Sequence, residues 1–183
     1  MSAPMNYFAT GTADLRLAGE QWLLSTLDAP GRDHARKEWQ EHGLALLPLG
    51  TLFAAVRLPG AVVAAVAGDD APSGAADDIL AEILDGGPVI CDLHSARYYA
   101  LVPPSTPRTW RDAIEEWRSL GVDALGQGTY LGVPHPALTE PDRRSCASYW
   151  SVPMDPPWRL CSPLHVARLI AAARHLLAEE LPT

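Results

Sequence analysis

Apolar positions along the chain change their period several times, and each change marks an element. Over residues 12–27, Leu15, Ala18, Trp22 and Leu23 recur at helical spacing, which predicts a helix with Thr12 as its N-cap. Pro30-Gly31 reads as a turn, and residues 33–42 as a second, polar helix stopped by Gly43, a residue suited to the left-handed position after a helix. The period then breaks into short apolar runs bounded by Gly and Pro, residues 44–49 and 52–58, which read as buried strands. Residues 60–67 fit helix or strand, and their alanine excess favours helix. The loop GDDAPSG leads into a helix over 75–84, with acidic residues near its start where the helix dipole favours them.

Further on, residues 89–93 and 97–102 predict a hairpin around His94-Ser95-Ala96, ended by Pro103-Pro104. Trp110, Ile114, Trp117 and Leu120 form one apolar stripe on a helix over 109–120, which Gly121 closes. Short strands are predicted at 129–133 and 148–152, separated by a polar, proline-bearing loop over 134–144. Ser162-Pro163 combines an N-cap with proline at the first helical position, and the helix that follows runs to about residue 180 with Val166, Leu169, Ile170, Ala173 and Leu177 on one face. The order predicts one α+β domain over residues 1–183, with residues 1–11 loose. Its expected core is a central, mostly antiparallel sheet flanked by helices and closed by a long C-terminal helix.

Composition narrows the function. A chain of 183 residues with 48% hydrophobic and 20% charged residues can bury a core without staples. A net charge of −8 opposes broad binding to phosphate backbones, although Arg143 and Arg144 could form a local basic patch; two solvated loop arginines is the plainer reading. Three cysteines, Cys91, Cys146 and Cys161, are too few and odd in number for a disulfide framework, which suggests reduced thiols and a cytoplasmic setting. The N-terminus lacks a basic region followed by an apolar core, so no signal peptide is expected, and the most apolar stretch, 44–67, is interrupted by Pro48, Gly50, Arg57, Pro59 and Gly60, so no membrane span is expected.

No complete catalytic set emerges. Cys91-x-x-His94 has ligand-like spacing but lacks the further ligands a zinc site needs, so no metal site is assigned. Cys161 precedes a helix start, which could activate its thiol; Cys91 or Cys146 could pair in space with His135 or His165. Asp69-Asp70, Asp77-Asp78 and Glu115-Glu116 read as solvated pairs, since neighbours on a helix diverge by about 100°. Gly126-Gln-Gly128 reads as turn glycines. Trp150 and Trp158 flank Pro153 and Pro156-Pro157 and are candidates for stacking a base or a peptide, or for packing under a loop.

Several segments, in order, resemble the N-terminal domain of actinobacterial bifunctional DNA primase/polymerases, the prim-pol branch of the archaeo-eukaryotic primases. LPLGTLFAAVRLPGAVVAAV (47–66) is similar to a pLG-x-x-F-D-V-x-D-V-P segment, GGPVICDLHSARYYALVPP (86–104) to a hairpin, GVDALGQGTYLGVPHP (121–136) to a third motif, and YWSVPM (149–154) with the closing helix to the tail of shorter relatives. The resemblance implies the fold. It also implies two divalent metals held by strand carboxylates and a basic residue for nucleotide phosphates. At the acidic positions this chain carries Ala54 and Arg57, and Ala96-Arg97-Tyr98 stands at the Gly-Arg-His position of the hairpin; only Asp123 matches an acid. One carboxylate does not hold two metals. The expectation is a non-catalytic, prim-pol-like binding or regulatory module for a nucleotide, small molecule or protein, with no catalytic residues and no cofactor. Arg97, Asp123, His94, Tyr98 and Arg57 are its ligand-groove candidates. The alternatives are a nucleotidyltransferase-like enzyme of altered chemistry, which would use Mg²⁺ or Mn²⁺, and a homodimeric interaction domain using Trp150 and Trp158.

Overall fold

The computed structural model of the protein describes residues 10–145, 147–156 and 158–179. The elements follow in the order α1 (Thr10–Leu24), α2 (Ala29–His42), β1 (Leu44–Pro48), β2 (Ala54–Pro59), α3 (Gly60–Ala67), α4 (Gly74–Ile83), β3 (Val89–Asp92) and β4 (Arg97–Val102). They continue with α5 (Thr106–Thr109), α6 (Arg111–Trp117), a 3₁₀ turn over Arg118–Leu120, β5 (Asp123–Leu125), β6 (Tyr130–Pro134), β7 (Tyr149–Val152) and α7 (Pro163–Glu179).

Five strands form the main sheet in the order β5-β2-β4-β3-β7, antiparallel throughout. The connections β2–α3–α4–β3 and β4–α5–α6–β5 each skip one strand, so the segment from β2 to β5 is a split β-α-β unit of ferredoxin-like connectivity. β7 extends that sheet beyond β3. The remaining strands, β1 and β6, pair as a separate antiparallel ribbon. The chain is therefore one α+β domain.

Both faces of the main sheet are buried, by different parts of the chain. Strand alternation sends Ala54, Val56, Leu58, Cys91, Tyr98 and Ala100 toward α3, α4, α6 and α7, where Val63, Leu80, Trp117, Leu169 and Ile170 complete one core. The intervening residues Ala55, Ile90, Leu101 and Trp150 face α1, α2 and the ribbon, where Leu23, Trp39, Leu47 and Val133 complete a second core. Trp39 joins its layers with more than apolar contact: its indole N–H donates to Val133 O at 2.9 Å. The indole N–H of Trp150 likewise donates to Pro134 O at 3.1 Å.

Several element boundaries differ from the pattern reading. Residues 10 and 11, expected to be loose, are helical, and Thr12 lies inside α1 rather than capping it; residues 1–9 lie outside the described residues. Pro30-Gly31 is the first turn of α2, not a separate turn. Asp28 caps the helix by accepting from Gly31 N–H, and proline is compatible with a first helical turn because no intrahelical partner is lost there. The expected helix over 109–120 is broken at Trp110 into α5, α6 and a 3₁₀ turn. Residues 123–125, to which the pattern assigned no element, form edge strand β5. The expected ends held at Gly43, Gly68 and Gly121, each in the left-handed region.

Gly50, in the turn between β1 and β2, has φ +96°, and a Cβ there would meet the backbone of Gln127 at 2.6 Å. Gly68 has φ +67° with open space around it. Gly68→Ala should therefore cost about 1 kcal/mol from backbone strain alone. Gly50→Ala, which adds a backbone clash, should cost clearly more. Urea unfolding midpoints at unchanged slope measure both; equal losses would contradict the packing of this turn against residues 126–129.

Candidate functional site

At the β5 side of the main sheet, the face toward α1 and α2 carries charge instead of core. Arg57 lies directly opposite Tyr99 on β4 and opposite Asp123 on β5, so the three side chains share one transverse row. Arg57 Nη2 stands 4.0 Å from Asp123 Oδ2, and Arg118 Nε, from the 3₁₀ turn, stands 3.7 Å from Asp123 Oδ1. Arg57 and Asp123 are each about one-third exposed (34% and 33%), so their attraction is screened and contributes only about 0–1 kcal/mol. Tyr99 packs partly against the second core. The row presents a guanidinium, a phenol ring and a carboxylate to one approach direction.

The other groove candidates are placed differently. Arg97 is exposed at the start of β4, in the same alternation as Tyr99 and opposite Asp92. His94 is exposed in the hairpin turn, where its backbone N–H donates to Asp92 Oδ1 at 3.0 Å. Tyr98 does not share the groove: alternation turns it to the helix-covered face, where it is fully buried. Ala54 and Arg57 are three residues apart on one strand and therefore project to opposite faces; Ala54 is fully buried under the helices. A carboxylate at position 54 would not reach the face that carries Arg57 and Asp123 in this register.

The thiols stand apart from any activating partner. Cys91 is buried in the helix-side core while His94 is exposed, so the Cys-x-x-His spacing does not converge. Burial pushes the Cys91 thiol up to about 12. Cys161, expected to gain from the start of α7, is instead fully buried, hydrogen-bonded to Pro88 O at 3.4 Å, and pushed up by burial to about 12. That opposes thiolate formation. Cys146 lies outside the described residues. Among the described residues no group of three or more His, Cys, Asp and Glu side chains is placed to hold a metal ion.

Trp150 is not a surface aromatic. It is 1% exposed, whereas Trp158 is 66% exposed. Arg143 reaches back to donate to Pro72 O at 3.2 Å, and Arg144 N–H donates to Asp142 Oδ1 at 3.0 Å, so each has a contact within the fold.

A second polar group was not legible as such. Asp77, expected on a solvated face with Asp78, is half-buried in the first turn of α4 and accepts from Tyr149 Oη at 2.8 Å and from Ser151 Oγ at 2.5 Å. These bonds tie α4 to β7. Burial raises the Asp77 carboxyl above its ordinary value, opposed by the two hydroxyl donors and assisted by Asp78. Tyr98 Oη, buried close by, has no hydrogen-bond partner among the described residues. Sequence alone does not reveal this group, because its hydrogen-bonded members come from two elements, α4 and β7, 72 to 74 residues apart. Tyr99 was equally missed, although its alternation with Arg97 marks it once the hairpin is paired.

Compared with known proteins, the chain matches no family model, no curated protein and no solved structure.

Because the folded pKa of Asp77 lies above the unfolded value of 3.8, the folded state holds its proton to higher pH. Stability then falls as pH rises from that value through the folded pKa. Asp77→Asn should flatten this fall. Denaturant midpoints taken across the acid-to-neutral range for both proteins check it; parallel pH profiles would contradict the role of burial at Asp77.

Proposed function

We propose that this domain is a prim-pol-like fold used for binding rather than for nucleotidyl transfer, and that its ligand is a nucleotide received at the β5 side of the main sheet, on the face toward α1 and α2. The observation that carries the reading is the row Arg57–Tyr99–Asp123. Arg57 brings a cation to a strand position where the resembled polymerases place a metal-binding acid. A guanidinium there repels divalent metals and attracts phosphate oxygens, which it can meet with two parallel N–H donors. Tyr99, opposite it, offers a ring face on which a base can stack. Arg97, exposed at the hairpin end of the same face, adds a second cation. The split β-α-β order of the sheet supports the likeness, since it puts the crossover helices on the face opposite Arg57 and Asp123. The net charge of −8 suits a small ligand held by a few local arginines better than a long nucleic acid.

Titration calorimetry with ATP tests this. Binding is expected, and Arg57→Ala should weaken it about tenfold, the size of one charge-assisted hydrogen bond. No binding of ATP, or binding indifferent to Arg57→Ala, overturns the ligand assignment. Template-directed dinucleotide synthesis with Mg²⁺ or Mn²⁺, lost in Asp123→Ala, overturns the non-catalytic reading.

A second reading, self-association, is favoured by a specific patch. Leu46 and Tyr130, on alternate pairs and so on the same face of the β1–β6 ribbon, are 57% and 66% exposed. If that face joins two copies, light scattering gives the dimer mass, and Tyr130→Lys returns the monomer; a monomer in the unmodified protein removes this reading.

A further inference from the structure

At the opposite edge of the main sheet, beside β7, lies a cavity of about 280 Å³ between α1 and the loops that precede and follow β7. It is separate from the Arg57 row, which sits at the β5 edge. The nearly buried ring of Trp150 forms its floor, locked by the indole hydrogen bond to Pro134 O. Pro136 and Pro153 give stiff walls, and Met154 gives an adaptable one. α1 contributes Gly19. Glycine in the middle of a 15-residue helix is unfavourable relative to alanine, and Gly19 serves no turn or cap there.

The mouth is charged with both signs. Arg16 and Asp155 line the cavity and are exposed. Neither forms an ion pair with another described residue, whereas Arg36, Arg57, Arg118, Arg159 and Arg174 each do. An apolar interior with one free cation and one free anion at its rim complements a small zwitterion that carries an apolar body. The volume is at the low end for ligand sites and admits a body of about one ring.

We infer that this cavity binds a free amino acid with a large apolar side chain, its carboxylate on Arg16, its ammonium on Asp155 and its side chain over Trp150. The assignment is independent of the nucleotide reading, because no residue is shared between the two sites. It also gives Trp150 a role that burial denies it at a protein interface.

Calorimetry and thermal shift with L-phenylalanine test the inference. Binding and a raised melting temperature are expected. Arg16→Gln and Asp155→Asn, both on exposed side chains, should each weaken binding about tenfold without changing the melting temperature of the free protein. 2-Phenylethylamine, which lacks the carboxylate, should bind the unmodified protein and Arg16→Gln equally weakly. 3-Phenylpropionate, which lacks the ammonium, should behave the same way toward Asp155→Asn. Absence of L-phenylalanine binding overturns the inference. So does equal affinity for the two single-charge analogues and L-phenylalanine, which would make the cavity an unselective apolar hole. Gly19→Leu should abolish binding by filling the cavity; retained affinity in a folded Gly19→Leu protein places the ligand elsewhere and also overturns it.

Discussion

The antiparallel pairing of β2 with β4 is the constraint on which the rest of the molecule depends. Both strands are buried on both faces, one beneath α3, α4, α6 and α7 and the other beneath α1, α2 and the ribbon. With a side-chain period of two, a slip of one residue would exchange the two faces completely. Arg57 would enter the core beneath α3, α4, α6 and α7, and Leu58 would take its place beside Asp123 on the other face. Neither core tolerates that exchange, so the register that opposes Arg57 to Tyr99 is selected by packing on both sides. The charged row is thus a consequence of apolar packing elsewhere in the same strands.

The same alternation limits which chemistry the sheet can hold. Positions 54 and 57 are three apart and cannot share a face of a regular strand, so Ala54 is buried under the helices while Arg57 lies partly exposed on the face toward α1 and α2. That residue is an arginine, held within reach of Asp123 but only loosely. A weak, partly solvated ion pair is easily opened by a competing anion, because little is lost when its partner is exchanged. Asp123 thereby keeps Arg57 oriented without sequestering it.

Much of the fold was legible because its signals are local. Gly43, Gly68 and Gly121 end their helices in the left-handed conformation, and Pro163 opens α7, as their residue types require. The hairpin of β3 and β4 followed from two short apolar runs around a turn. The features that escaped are those set by distant contacts. Nothing local in Asp123-Ala124-Leu125 marks an edge strand; it becomes one by pairing with β2. Nothing local separates β1 from the main sheet; it leaves because β6 offers it a partner over Leu44–Pro48 and Trp39 binds that ribbon from α2. Of the groove candidates, Arg57, Asp123 and Arg97 reached one face, while Tyr98 fell on the other because sequence neighbours on a strand diverge. Trp150, for which the sequence left both stacking on a ligand and packing under a loop open, is packed, since β7 carries it into the second core.

The polar groups of the protein are sorted by the sheet in a way that bears on function. On the helix side, Asp77, Tyr149 and Ser151 satisfy one another, and their hydrogen bonds join α4 to β7 across the core. A buried carboxylate is costly unless such donors meet it, so this group uses its polar capacity internally and stabilises the fold only while it stays complete. On the other side, Arg57, Arg97, Arg16 and Asp155 remain at least partly exposed, and none is committed to a strong bond. Internal satisfaction removes a group from recognition, and exposure without a close partner retains it. The face toward α1 and α2 therefore carries exposed charged groups near both the β5 and β7 edges of the sheet, and the face under α3, α4, α6 and α7 carries the internally satisfied ones.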